Sequence, residues 1–130
     1  MAYEIPGTTL SLEASGDLSA SQYKFVKLDT NGRVVVCTGV TDKPIGILQD
    51  KPGALGRACQ VMVSGVSKVQ GDANLTKGDQ VGTSADGQAA AYVPGTDTTK
   101  YIVGEVLEDN SAAAGLATIA FNCLGAGRGA

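Results

Sequence analysis

The stretch QYKFVKLDTNGRVVVCT, residues 22–38, decides the fold. Tyr23 and Phe25 alternate with Lys24, and two runs rich in β-branched and aromatic residues flank Asn31-Gly32. Runs of this kind suit the pleated, half-buried surface of a strand. Asn-Gly between them is the strongest short-range hairpin signal, because a type I′ turn needs positive φ at both central residues. The stretch is read as a β-hairpin with that turn.

Working outward, PIGILQ (44–49) reads as a strand, DKPGALG (50–56) as a loop, and RACQVMV (57–63) as a strand with Cys59, Val61 and Val63 on one face. Period-two patterning over seven residues marks a half-buried strand. Beyond Val69, GDANLTKGDQVGTSADGQAAAYV (71–93) repeats the hairpin logic around Asp86-Gly87. YIVGEVLE (101–108) and LATIAFN (116–122) read as two further strands, separated by the loop DNSAAAG.

Laid over one another, the halves show an internal repeat. Asn31-Gly32 falls on Asp86-Gly87, residues 44–48 fall on 102–106, and Cys59, Val61 and Val63 fall on Ala117, Ile119 and Phe121. Each half is then a hairpin, a strand, a small-residue loop and a further strand. Two open units with bare edges invite aggregation, so they are expected to pack as one small pseudo-symmetric barrel or sandwich. Gly46 and Gly104 occupy matched places inside strands, where glycine marks a bulge, a corner bend or a close backbone approach.

Ahead of the hairpin, residues 1–20 read as an extended arm with one short strand, because Pro6-Gly7 opposes helix and Thr8 to Leu12 alternates polar and apolar. Residues 21–124 form the β domain, and 125–130, all small residues but one arginine, read as a flexible tail. The length of 130 residues suits one such domain.

Composition narrows function. Ten basic against thirteen acidic side chains give a net charge of −3, and the basic residues occur singly. Holding a polyanion needs several phosphates neutralised together, so nucleic acid is not an expected partner. No apolar run approaches a membrane span, and the N-terminus lacks the charged and apolar regions of a signal peptide, so a soluble protein made in the cytoplasm is expected. The aromatic content of 5% with 18 glycines favours thin sheets and turns.

Chemistry finds little purchase. The chain has no His, which removes the commonest general base. Asp29, Asp42, Asp50, Asp72, Asp86, Asp97 and Asp109 sit in turn-like contexts, where Asp bonds neighbouring backbone N–H groups. Glu105 and Glu108, three apart in a strand, are expected on opposite faces. Cys37, Cys59 and Cys123 lack the spacing and the fourth ligand of a zinc site and read as reduced, buried small hydrophobes, with a disulfide the alternative. No phosphate-cradling loop, calcium loop or nucleophile elbow is present. The expectation is a protein with no catalytic residue, metal or cofactor, acting by binding other proteins.

A resemblance sharpens this. Ile45-Gly46-Ile47-Leu48-Gln49-Asp50 running to Gly56, its second occurrence Val103-Gly104-Glu105-Val106-Leu107-Glu108 running to Gly115, and Lys77-Gly78-Asp79-Gln80-Val81 with Ala85-Asp86-Gly87 are similar to the signature of tailed-phage head decoration (cement) proteins. The resemblance spans about residues 20 to 123, and Gly46 and Gly104 are its signature glycines. It implies a β-barrel or β-tulip-like domain on the outer surface of a virion capsid. Such a domain bridges major capsid protein subunits as a homotrimer, with a dimer the alternative.

The arm matches no motif of that family, so its role follows from its residues. Ordering about twelve residues costs on the order of 12–24 kcal/mol, while burying Tyr3, Ile5, Leu10 and Leu12 returns about 1.5–3 kcal/mol each. The arm therefore needs a sheet edge, and strand addition to a capsid subunit or a neighbouring protomer would supply one. Tyr3, Glu4, Ile5, Pro6, Leu10 and Leu12 are the expected capsid-binding residues, mobile in the free protein and multiplied by oligomerisation. The competing reading is a carbohydrate- or host-surface-binding β module of a virion. Sugar sites favour exposed aromatics, and this chain offers only Tyr3, Tyr23, Phe25, Tyr92, Tyr101 and Phe121.

Overall fold

A computed structural model describes residues 5–110, 115–125 and 127–129. It contains β1 (Ile5–Glu13), β2 (Phe25–Leu28), β3 (Val34–Val36), β4 (Gly46–Leu48), β5 (Ala58–Gln70), β6 (Gln80–Thr83), β7 (Ala89–Ala91), β8 (Tyr101–Ile102), β9 (Gly104–Glu108), β10 (Leu116–Asn122) and β11 (Gly127–Arg128). No helix occurs among the described residues. One nine-stranded sheet runs β3-β2-β4-β5-β10-β9-β6-β7 with β1 also on β5, and it curls into a half-barrel. The expected all-β, barrel-like fold with an internal repeat is what the chain adopts.

The strand order is a palindrome about the β5–β10 pair, and the registers show why. Adding 58 to both members of Ile47↔Met62 gives Glu105↔Ala120, and adding 58 to Leu48↔Val61 gives Val106↔Ile119. Adding 55 to Val26↔Val36 gives Val81↔Ala91. The three-residue difference falls in the loop before β8. There Asp97 accepts from Val93 N–H as Asp42 accepts from Thr38 N–H, before the chain runs on to Tyr101. Even the left-handed backbone conformation is duplicated, since Tyr23 (φ 64) stands where the second unit has Gly78 (φ 89).

Both hairpins form, but not with type I′ turns. Among the described residues Tyr23 is the one non-glycine with positive φ, so Asn31 and Asp86 are not left-handed. Asp29 N–H donates to Arg33 C=O and Gly32 alone takes φ +76, the pattern of a three-residue loop ending in a left-handed glycine. The reason lies two residues ahead of each dipeptide. Asp29 Oδ1 accepts from the N–H groups of Asn31 and Arg33, and Ser84 Oγ accepts likewise from Asp86 N–H, so a side chain organises each turn.

The expectation of a mobile arm is corrected for residues 5–13. β10 covers only Ser64–Gln70 of β5, and β1 pairs antiparallel with the first part of that strand, from Glu13↔Ala58 to Ile5↔Val66, the two overlapping at Ser64 and Val66. The edge that the arm requires is thus inside the chain. Adding 57 to β1 residues and 58 to their partners converts Leu12↔Cys59 into Val69↔Ala117 and Leu10↔Val61 into Ser67↔Ile119. β1 is therefore the first strand of unit one, and the second half of β5 is the first strand of unit two. Tyr3 and Glu4 lie outside the described residues. The tail expectation is corrected too, because Gly127 and Arg128 pair with Ile102 and Tyr101, and Gly129 N–H donates to Lys100 C=O.

Gly46 and Gly104 mark close backbone approach. A Cβ on Gly46 would lie 2.4 Å from Met62 O, and one on Gly104 would lie 2.7 Å from Ala120 O. Small residues here let β4 and β9 seat tightly on β5 and β10.

Two hydrophobic clusters hold the half-barrel. The first unit encloses Ala14, Leu18, Val26, Val34, Leu48, Cys59, Val61 and Val63. The second encloses the counterparts Leu75, Val81, Ala89, Val106, Ala117, Ile119 and Phe121, but this cluster also takes in Phe25, Cys37, Ile47 and Met62 from the first unit. All of β4 is buried, Ile47 against unit two and Leu48 within the core of unit one, whereas Glu105 in the matching β9 is exposed. The units consequently stack front to back.

Candidate functional site

Each unit has a front, where its own core opens, and a back formed by the opposite face of its sheet. Phe25, Ile47 and Met62 lie side by side across β2, β4 and β5 on the back of unit one. They pack onto the front of unit two, and at 0%, 0% and 2% exposure they are sealed there. Polar contacts accompany the seal. Gly87 C=O accepts from Phe25 N–H (2.7 Å), Tyr23 C=O accepts from Gln70 N–H (2.8 Å), and Gln49 Nε2 donates to Ser67 Oγ (3.0 Å).

The front of unit one has no such cover among the described residues. It is a groove of about 280 Å³ lined by Leu10 and Leu12 of β1, Leu28 at the end of β2, Pro44 and Ile45 leading into β4, and Val63 of β5, together with Cys123 and Leu124. Lys43 is the charged residue of the lining. Leu10, Leu28 and Leu124 are 43%, 45% and 68% exposed, and their surroundings are apolar. In unit two the counterparts of Leu10 and Leu28 are Ser67 and Thr83, at 0% and 1%. Contiguous exposed apolar surface of this kind marks an interaction site more often than scattered single residues do.

The wall of the groove is fixed by one carboxylate. Asp42 Oδ2 accepts from Lys27 Nζ (2.8 Å) and from the N–H groups of Thr38 and Gly39 (3.0 Å each), which pins the loop ahead of Lys43 and Pro44. Burial alone would raise the Asp42 pKa, but Lys27 and the two N–H groups together hold it below 3.8. Lys27 is raised in turn, chiefly by its hydrogen bond to Asp42.

Of the residues expected to bind a partner, Leu10 and Leu12 line this groove, and Ile5 is 60% exposed at the far end of β1. Gly46 and Gly104 lie in strand pairs and serve packing. Leu28, Pro44, Ile45, Val63 and Leu124 were not among the residues expected to bind a partner, although Ile45 and Val63 stood out as signature and strand-face residues. They come from separate stretches of chain, and only the fold assembles them.

Little else offers chemistry. Cys37, Cys59 and Cys123 are buried and free, and desolvation pushes the thiols of Cys37 and Cys123 up to about 12, far from thiolate reactivity. A register shift in β9 sets Glu105 opposite Ala120 and Glu108 opposite Thr118, two apart on β10, so both carboxylates fall on one side of the sheet rather than on opposite faces. No cluster of metal-binding side chains occurs among the described residues. A second, more polar depression holds Gln22, Tyr23, Lys51 and Gln70. Lys68 Nζ lies 5.7 Å from the centroid of the Tyr23 ring, so one face of that ring is already engaged.

Duplicated units, a shared central strand and a front-to-back stack define a class of two-unit β half-barrels. Within solved structures this chain is similar to the head fiber gp8.5 N base of bacteriophage phi29, with a TM-score of 0.64 and 16% identity. The match covers 89% of this chain and 94% of that one, so the likeness is of whole fold to whole fold. No family model matches the sequence, and no curated protein matches it.

Proposed function

We propose that this protein is a structural component of a tailed-phage head. It sits on the outer surface of the capsid, binds the major capsid protein, bridges neighbouring subunits and works as a homotrimer without enzymatic activity. The observation that carries this reading is the end-to-end structural likeness to the phi29 head fiber base. The apolar groove supports the same reading, since it suits a protein partner. Leu10 and Leu12 contact that partner from a fixed strand and not from a loose arm.

Purified protein mixed with heads that lack it tests the proposal. Saturable co-sedimentation with mature heads, and a higher temperature of head disruption once sites are filled, are the expected results. Heads that sediment without the protein at saturating concentration would remove the head-surface role. Binding without any gain in head stability would keep the attachment and remove the bridging role.

A further inference from the structure

The molecule contains its own template for what fills the groove. Leu10, Leu12, Leu28, Ile45 and Val63 of the unit-one front have the counterparts Ser67, Val69, Thr83, Val103 and Phe121 in unit two, and those counterparts are covered. Ser67, in place of Leu10, accepts a hydrogen bond from Gln49, and Thr83, in place of Leu28, contacts Cys37. Val103 and Phe121, in place of Ile45 and Val63, pack with Phe25, Ile47 and Met62. The two turn glycines show the same asymmetry. A Cβ on Gly87 would lie 2.5 Å from Val36 Cγ1, whereas around Gly32 there is nothing within 4 Å. The cover of a front is thus the apolar back of a β-sheet, three large side chains wide on three adjacent strands.

The back of unit two cannot play that part for another copy. Its row is Gln80, Glu105 and Ala120, the counterparts of Phe25, Ile47 and Met62, with Gln80 and Glu105 exposed. Seating that row in the mostly apolar front, where Lys43 is the one charged lining residue among those described, would desolvate the Glu105 carboxylate and the Gln80 amide, a cost that an apolar row does not carry. Growth of the stack by self-addition is therefore disfavoured at one end, while the other end stays receptive.

We infer that the groove between Leu10, Leu28, Ile45 and Val63 is a docking site for the apolar face of a β-sheet belonging to a different protein. That face presents a row of large aliphatic or aromatic side chains on adjacent strands. It docks as the Phe25–Ile47–Met62 row docks on unit two. The inference specifies the contact through which the proposed head protein holds its partner, and it rests on that reading only for where the partner is found.

The protein itself can supply the missing row. The triple variant Gln80→Phe, Glu105→Ile, Ala120→Met turns the polar back of unit two into a copy of the unit-one back. Sedimentation velocity should show its mass climbing with concentration to at least twice that of the unaltered chain, and Leu28→Glu added to the triple variant should return it to the unaltered mass. The double variant Gln80→Leu, Glu105→Ile changes only exposed positions and carries the same test if the triple variant does not fold.

A variant that stays at the unaltered mass, or that associates equally with and without Leu28→Glu, overturns the inference. So does a fall in mass when Leu28→Glu is placed in the otherwise unaltered chain, because the groove would then be filled by a second copy. The head reading stands or falls separately. Heads that do not bind the protein would overturn that reading and leave the groove assignment intact, whereas a triple variant that ignores the groove would do the reverse.

Discussion

The two units of this chain share registers, turns and a signature glycine, yet their surfaces differ in kind. Unit one is apolar on both faces of its sheet, with Phe25, Ile47 and Met62 behind and an open apolar groove in front. Unit two is apolar in front, where unit one covers it, and polar behind at Gln80 and Glu105. Position in the stack, and not strand propensity, selects the residue at each matched site. A strand tolerates Phe25 or Gln80 at the same place in the pleat, and burial decides which one belongs there.

The sharpest break of this comparison is a pair of alanine substitutions at matched sites. Phe25→Ala empties a fully buried ring site between the units and should cost about 3–5 kcal/mol. Gln80→Ala, at the counterpart position, should stay within about 0.5 kcal/mol. Urea denaturation of both variants measures the difference. Equal losses would mean that the units are not stacked front to back.

Next in size are the matched glycines Gly46 and Gly104, which should behave alike. Each faces a backbone carbonyl on its partner strand, so alanine at either should cost about 1–3 kcal/mol through overpacking. A large cost at one and none at the other would separate the two strand pairs that the register makes equivalent. Gly87→Ala and Gly32→Ala should instead diverge. Both incur the left-handed penalty of about 1–2 kcal/mol, but only at Gly87 does the new methyl meet Val36, so its melting temperature should fall further.

These pairs also show how much could be read from the chain alone. Asn31-Gly32 and Asp86-Gly87, with Gly46 and Gly104, carry the duplication openly, because turns and close approaches restrict residue type. The turn type was hidden, since Asp29 and Ser84 act from outside the dipeptide. A short strand was legible at Thr8 to Leu12, but its place in the sheet was hidden more deeply. Residues 8–14 and 65–71 occupy equivalent places, but Leu10 lines an open groove while its counterpart Ser67 is sealed under Gln49, so the two were shaped for different surroundings. Leu10 and Leu12 could be picked out as binding residues. Their fixed setting could not, because it depends on β10 leaving half of one edge of β5 bare.

The smallest effect is a pH dependence in the wall of the groove. Asp42 has a folded pKa below its ordinary 3.8, so the folded state binds fewer protons there than the unfolded one. Its contribution is fully present above pH 3.8 and is lost as pH falls through the folded value. Lys27 is raised above 10.5, so its share is fully present below pH 10.5 and is lost as pH rises through the folded value. Asp72 runs the other way from Asp42. Burial raises it, so protonating Asp72 favours the fold as pH drops toward the carboxylate range. Asp42→Asn should therefore lower stability by about 0.5–1 kcal/mol at neutral pH, as for a partly exposed ion pair. The gap from the unaltered chain should close below pH 3.8, as read by thermal melts across the acid range. A gap that persists in acid would mean that Asp42 holds the groove wall by shape and not by charge.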